Sequence, residues 1–190
     1  MNIGLYFGSF NPVHHGHLII ANHVAQSTGL EQIWFVVSPQ NPLKPSGTLL
    51  NEYDRLYMLR SAIEGENHLR ASDIEFKLPK PSYTIDTLTY ISEKFPQHVF
   101  SIIMGSDSYL NLPRWKNYEQ LLKNADFYIY IRSGFEKIPD YPGARIQVLD
   151  APLLQISATH IRYILQKGMS IRYLVPDVVK DEIERNRYFL

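Results

Sequence analysis

Short apolar runs alternate with longer mixed segments along this chain, and that alternation restricts the fold more than any other feature. Ile3–Phe7 is apolar and ends at Gly8, which reads as a buried strand. His17–Gln26 has helical character, with Gly29 past its end as a stop. Ile33–Val37 is β-branched and aromatic, a second strand. Ser38–Asn51 carries three prolines and predicts a long loop. Glu52–Glu64 places Leu56, Leu59 and Ile63 at helical spacing, and Leu69–Phe76 predicts a third strand. A helix to Lys94 follows, capped by Ser82 or Thr84. Val99–Met104 is a strongly apolar strand ending at Gly105, and Tyr118–Lys123 a short helix. Phe127–Arg132 and Arg145–Leu149 read as strands, Ser157–Gln166 and Asp177–Asn186 as helices.

Strands separated by helices imply right-handed crossovers and hence an α/β fold with a mostly parallel sheet. With 190 residues and no linker of domain-separating length, residues 1–190 are expected to form one domain. Ligands in such sheets bind beyond the C-terminal strand ends, where the strand order reverses. Three segments should therefore share one rim: Gly8–His17, Gly105–Trp115 and the residues entering the helix at Ser157.

Composition removes several classes of function. The chain has no cysteine, so disulfides, thiolate metal sites and cysteine nucleophiles are excluded. No window of about 20 apolar residues exists, and the N-terminus lacks the basic start and cleavage site of a signal peptide. A cytoplasmic protein with no membrane partner is expected. Lys plus Arg and Asp plus Glu are 19 each, which argues against a dedicated nucleic-acid binder. A small anionic ligand held by a few local donors remains compatible.

The densest signal is Gly8-Ser9-Phe10-Asn11-Pro12-Val13-His14-His15-Gly16-His17, between a strand and a helix. Gly8 permits a turn that a Cβ would obstruct. The amides that follow, with the positive end of the next helix, suit a phosphate. His14 and His17 can present two imidazoles on one side of a helix start, and Gly16 lets a ligand approach the backbone. Taken one by one, these histidines also fit a helix cap or an exposed surface. Zinc is disfavoured by the lack of cysteine, of HExxH and of a suitably spaced third ligand. The second signal is Ile156-Ser157-Ala158-Thr159-His160-Ile161-Arg162. Ser157 is a natural N-cap, and hydroxyls, amides and a guanidinium converge there as a polyphosphate requires.

Taken whole, the first string resembles the GxFxPxHxGH signature of the HxGH nucleotidyltransferase superfamily, and the second resembles its ISxTxxR signature. Three further stretches resemble bacterial nicotinate-nucleotide adenylyltransferases. They are Pro81-Ser82-Tyr83-Thr84-Ile85-Asp86-Thr87-Leu88, Gly105-Ser106-Asp107 with Leu112-Pro113-Arg114-Trp115, and Asn41-Pro42-Leu43-Lys44. The resemblance covers nearly the whole chain. It departs where Phe7 and Asn11 replace a glycine and an acid, and where Arg132-Ser133-Gly134 replaces an RPG-like stretch.

The resemblance implies a Rossmann-like three-layer sandwich, the nucleotidyltransferase fold. It implies transfer of AMP from ATP to nicotinate mononucleotide, giving deamido-NAD and pyrophosphate. His14, His17 and Arg162 would be the catalytic residues. Gly8, Ser9, Phe10, Gly16, Gly105, Asp107, Ile156, Ser157 and Thr159 would complete the ATP site. Lys44, Tyr83, Thr84, Trp115 and Arg132 would receive the mononucleotide. The residues themselves leave alternatives open: Trp115 also suits a core plug, Asp107 a turn, and Lys44 or Arg132 a solvated surface. Mg²⁺ would arrive with ATP and keep most of its waters, with no dedicated protein metal site. Homo-oligomers are compatible with the sequence. The rival readings are the same chemistry on nicotinamide mononucleotide or phosphopantetheine, and a non-catalytic nucleotide-binding regulator.

Overall fold

Strand β1 (Asn2–Gly8) lies at the centre of a six-stranded sheet in the computed structural model of the chain, which describes residues 1–40, 47 and 49–190. Its neighbours are β2 (Gln32–Val37) and β4 (Val99–Gly105). β3 (Leu69–Ser72) flanks β2, while β5 (Asp126–Tyr130) and β6 (Arg145–Leu149) extend the other side. Every pairing is parallel, in the order β3-β2-β1-β4-β5-β6. The order reverses between β1 and β4, so the ends of these two strands, Gly8 and Gly105, open the crevice where a ligand fits.

Helices cover both faces. Alternate side chains of each strand point to opposite sides. Tyr6, Phe35 and Ile103 face a core closed by α1 (His15–Ser27), α2 (Glu52–Ala62), α6 (Ala158–Gln166) and α7 (Asp177–Asn186). Leu5, Trp34, Ile102 and Phe127 face a second core closed by α3 (Thr84–Lys94), α4 (Ser106–Leu110) and α5 (Tyr118–Asn124). Burial on both faces explains why β1, β2 and β4 read as nearly continuous apolar runs. This is the expected three-layer α/β sandwich, with a sheet that is parallel throughout.

Several local expectations change; β5, for one, ends at Tyr130 instead of running to Arg132. The third strand stops at Ser72 and gives way to a 3-10 turn, Ile74–Lys77, instead of running to Phe76. Its reason is Glu75, which is buried rather than alternating outward. Neither Ser82 nor Thr84 caps α3: Thr84 is its first residue, and the residue before it, Tyr83, makes no side-chain cap bond. The Ser82 hydroxyl instead donates to Glu75 Oε2 at 2.6 Å, and Thr87 Oγ1 donates to Glu75 Oε1 at 2.8 Å. Burial raises the Glu75 pKa, and the two hydroxyls oppose that shift. Among the described residues no helix is long and apolar enough to cross a membrane.

Candidate active site

The loop from Gly8 to His14 leaves β1 and enters α1 at the reversal point. Phe10 takes a left-handed backbone (φ 46°) and the Asn11–Pro12 peptide is cis. The Phe10 ring folds back over Gly8, where a Cβ would lie 2.7 Å from its Cζ. Gly8 is thus required by the ring more than by its own dihedrals. Gly16 has a similar reason: its Cβ would lie 3.0 Å from the His14 ring.

His14 and His17 stack with ring centroids 3.7 Å apart and planes 21° from parallel. The His14 backbone N–H donates to His17 Nδ1 at 3.4 Å. An accepting Nδ1 puts the neutral ring's proton on Nε2, so His17 can act as a donor through Nε2. His14 is buried, and its Nδ1 has no hydrogen-bond partner among the described residues. Burial first, and the Arg132 charge second, hold its pKa down at about 4. It is therefore neutral near pH 7, with one N–H to donate.

The second signal arrives from α6. Ser157 caps that helix, its Oγ accepting from the His160 N–H at 3.2 Å, as its sequence position predicts. Arg162 Nη1 donates to the Asn11 carbonyl at 2.7 Å, and Nη2 donates to Thr159 Oγ1 at 3.3 Å. The two distant signatures thus meet by a direct bond across 151 residues. They line a single cleft of about 650 Å³. Gly8, Ser9, Phe10, His14, Gly16, His17, Asp107, Arg132, Ile156, Ser157, Thr159 and Arg162 all contribute to its wall.

Gly105 stands just behind that wall. A Cβ there would lie 2.5 Å from Asp107 Oδ1 and 2.8 Å from Arg132 Cδ, so its lack of a side chain lets both residues approach. Asp107 Oδ2 lies 3.7 Å from Arg132 Nη1. Asp107 Oδ1 is buried with no hydrogen-bond partner among the described residues, an acceptor suited to a ligand hydroxyl. The Arg132 backbone N–H donates to Ser106 Oγ at 2.9 Å and ties β5 to α4.

Tyr83, Thr84 and Trp115 lie apart from the cleft wall. Tyr83 and Trp115 are half-buried against the second core, and Thr84 is the first residue of α3. Lys116 joins this region: its Nζ donates to Asp86 Oδ2 at 2.8 Å and sits 4.9 Å from the Tyr83 ring centre. Lys44 lies outside the described residues, as does most of the loop around it.

Sequence reasoning missed Tyr6, Tyr130 and Asn11 as wall residues. Tyr6 and Tyr130 place their hydroxyls 3.1 Å apart, and burial raises both pKa values. Tyr130 ends β5 on the rim that strand order predicts, so topology was the available signal. The cleft offers two imidazoles, two guanidiniums, hydroxyls and a helix N-terminus to a polyanion, with Asp107 beside Arg132. It can bind a nucleoside triphosphate and stabilise charge on its phosphates.

Comparison with known proteins agrees. The profile of the family described as Cytidylyltransferase-like matches residues 5–164. A "Probable nicotinate-nucleotide adenylyltransferase" of Cytophaga hutchinsonii is 50% identical over 189 residues, covering 100% of this chain and 98% of its own. A protein of the same name from Flavobacterium johnsoniae is 48% identical over 193 residues, covering 100% and 99%. The solved structure of Plasmodium falciparum nicotinic acid mononucleotide adenylyltransferase complexed with NaAD has a TM-score of 0.85 at 23% identity. It covers 99% of this chain and 97% of its own, a likeness of fold.

Proposed function

This chain belongs to the cytidylyltransferase-like nucleotidyltransferase family, and from that premise we propose how its cleft works. The protein is an enzyme that transfers the adenylyl group of ATP to nicotinate mononucleotide, yielding deamido-NAD and pyrophosphate for NAD synthesis. One domain, residues 1–190, carries the reaction. A phosphate oxygen of the mononucleotide attacks the α-phosphorus of ATP. The new P–O bond forms as the bond to the β-phosphate oxygen breaks, and pyrophosphate leaves with the electron pair. The nucleophile is already anionic, so no general base and no covalent intermediate is required. Rate enhancement rests on positioning and on charge stabilisation.

His17 and the neutral His14 donate to the α- and β-phosphates. Ser157, Thr159, Arg162 and the first amides of α6 hold the departing pyrophosphate. Asp107 accepts from a ribose hydroxyl. Arg132, with Lys44, receives the mononucleotide phosphate. Trp115 and Tyr83 offer aromatic faces to the pyridine ring, and Thr84 with the start of α3 receives the nicotinate carboxylate. No group of three or more His, Asp or Glu side chains among the described residues could hold a metal. Mg²⁺ would arrive with the ATP substrate and would offset charge on its phosphates.

The observation that carries this reading is the meeting of the stacked imidazoles and the Arg162 guanidinium in one cleft. The test is purified protein with ATP, Mg²⁺ and either pyridine mononucleotide, with pyrophosphate and dinucleotide measured. Turnover should be faster on the nicotinate form. Binding of ATP without pyrophosphate release would overturn the enzymatic reading, and equal turnover on both mononucleotides would overturn the acceptor.

A further inference from the structure

Arg55 stands outside the cleft wall, on α2, and is completely buried. A buried guanidinium normally meets a carboxylate, because an uncompensated charge is costly in the interior. Among the described residues none lies within ion-pairing distance of Arg55. Its partners are backbone carbonyls from three separate segments. Nε donates to Leu50 at 2.9 Å, Nη1 to Ser9 at 2.6 Å and to Ser38 at 2.8 Å, and Nη2 to Pro39 at 3.2 Å. Burial draws its pKa down to about 10, which still leaves it protonated near pH 7.

These contacts continue into the cleft. The Leu50 N–H donates to Asn11 Oδ1 at 3.2 Å, and Asn11 in turn accepts from Arg162 through its carbonyl. Ser9, whose carbonyl Arg55 holds, precedes the left-handed Phe10, and the Phe10 ring packs edge-on against His17 with centroids 5.0 Å apart. One guanidinium thus fixes the turn that carries both the imidazole pair and the acceptor of Arg162. A planar fork with five donors can span three segments in this way; an ammonium cannot.

We infer that Arg55 is a positioning residue for adenylyl transfer, setting from behind the cleft the Ser9–Asn11 turn on which His17 and Arg162 depend. The inference rests on the functional reading above. A purely structural Arg55 would affect only stability. A positioning Arg55 affects turnover in a protein that is still folded.

Arg55→Lys keeps the charge and most of the volume but not the fork; Arg55→Met keeps only the volume. Both are assayed for dinucleotide formation well below their melting temperatures, with circular dichroism as the control of folding. The folded lysine variant should lose on the order of 10- to 100-fold in kcat, the cost of slightly misplaced donors. Its KM for nicotinate mononucleotide should stay close to the parent's. A folded variant of either kind with the parent's kcat and KM for ATP would overturn the inference. If neither folds, the parent decides. Its protected Arg55 Nε–H resonance should shift on saturation with a non-hydrolysable ATP analogue, and an unmoved resonance would overturn the inference. A parent that forms no dinucleotide refutes the functional reading itself, and the role inferred for Arg55 falls with it, an outcome distinct from a folded variant that keeps the parent's rates.

Discussion

Replacement of Gly8 by alanine tests the packing that supports the imidazole pair. A Cβ on Gly8 would lie 2.7, 2.9 and 3.1 Å from Cζ, Cε1 and Cε2 of the Phe10 ring. Carbon contacts settle at about 3.5–4.0 Å, so the ring or the loop must move by roughly 1 Å. The ring has little freedom, because it is 2% exposed. Its edges meet Tyr6, Phe35 and His17 at centroid distances of 5.9, 5.4 and 5.0 Å. Overpacking of this kind costs about 1–3 kcal/mol. At roughly 2–4 °C per kcal/mol for a chain of this size, Tm should fall by about 2–12 °C. Turnover should fall further than stability, because displacing Phe10 tilts His17; a misplacement of about 1 Å can cost roughly 100-fold. The assay pairs a thermal melt with initial rates of pyrophosphate release. Gly29→Ala is the control, since nothing lies within 4 Å of the Cβ it adds. If Gly8→Ala melts and turns over like the parent, the ring is not the constraint described here.

Three further outcomes are expected. His17→Ala should keep the fold and lose about 100- to 1,000-fold in kcat, the usual worth of one well-placed donor; parental dinucleotide formation by the purified variant would remove His17 from the mechanism. Arg162→Lys keeps the charge but loses the fork that reaches both Asn11 and Thr159, so KM for ATP should rise about tenfold, as initial rates at varied ATP would measure. His14 makes stability depend on pH. Folded, it stays neutral down to about pH 4, whereas an ordinary imidazole takes up a proton near 6.5. Between these values the unfolded chain binds the extra proton, so this contribution is intact above pH 6.5 and is lost as pH falls toward 4, by up to about 3 kcal/mol. Melts of the parent and His14→Asn across that window should diverge in slope; parallel curves would refute the assignment.

The centre of the sheet was legible because β1, β2 and β4 are buried on both faces and so announce themselves as apolar runs. The two signatures were legible because they set donors at fixed offsets from a strand end and a helix start, and local sequence dictates both. What escaped has a common physical character. Arg55 and Glu75 looked like ordinary charged residues of a helix and a strand, yet both are buried. Carbonyls from distant segments satisfy Arg55, and hydroxyls from the next loop and helix satisfy Glu75. Nothing in residue spacing marks such partners. Glu75 also explains the early end of β3 and the failure of Ser82 to cap α3. The pairing of Tyr6 with Tyr130 spans 124 residues and joins side chains of β1 and β5 across the intervening β4. Lys116 over Tyr83 is likewise a contact between residues far apart in sequence, 4.9 Å from the ammonium to the ring centre.

A net charge of zero is compatible with a cationic cleft, because charge is sorted by position. Arg132 and Arg162 line the cleft and Arg55 lies behind it, whereas Asp107 is the one carboxylate among the described wall residues. Low-dielectric walls of Phe10, Ile20 and Tyr6 strengthen the field of these few cations. The same field, with burial, keeps His14 uncharged in the free protein. A polyphosphate entering the cleft opposes that field and restores the tendency of the imidazole to hold a proton. On the proposed reading the donors are thus most favourable when negative charge has accumulated between them, as it would around an α-phosphorus under attack with pyrophosphate departing. Catalysis by positioned charge needs no excess of basic residues over the whole chain. It needs the few that exist to meet at the strand ends where β1 and β4 part.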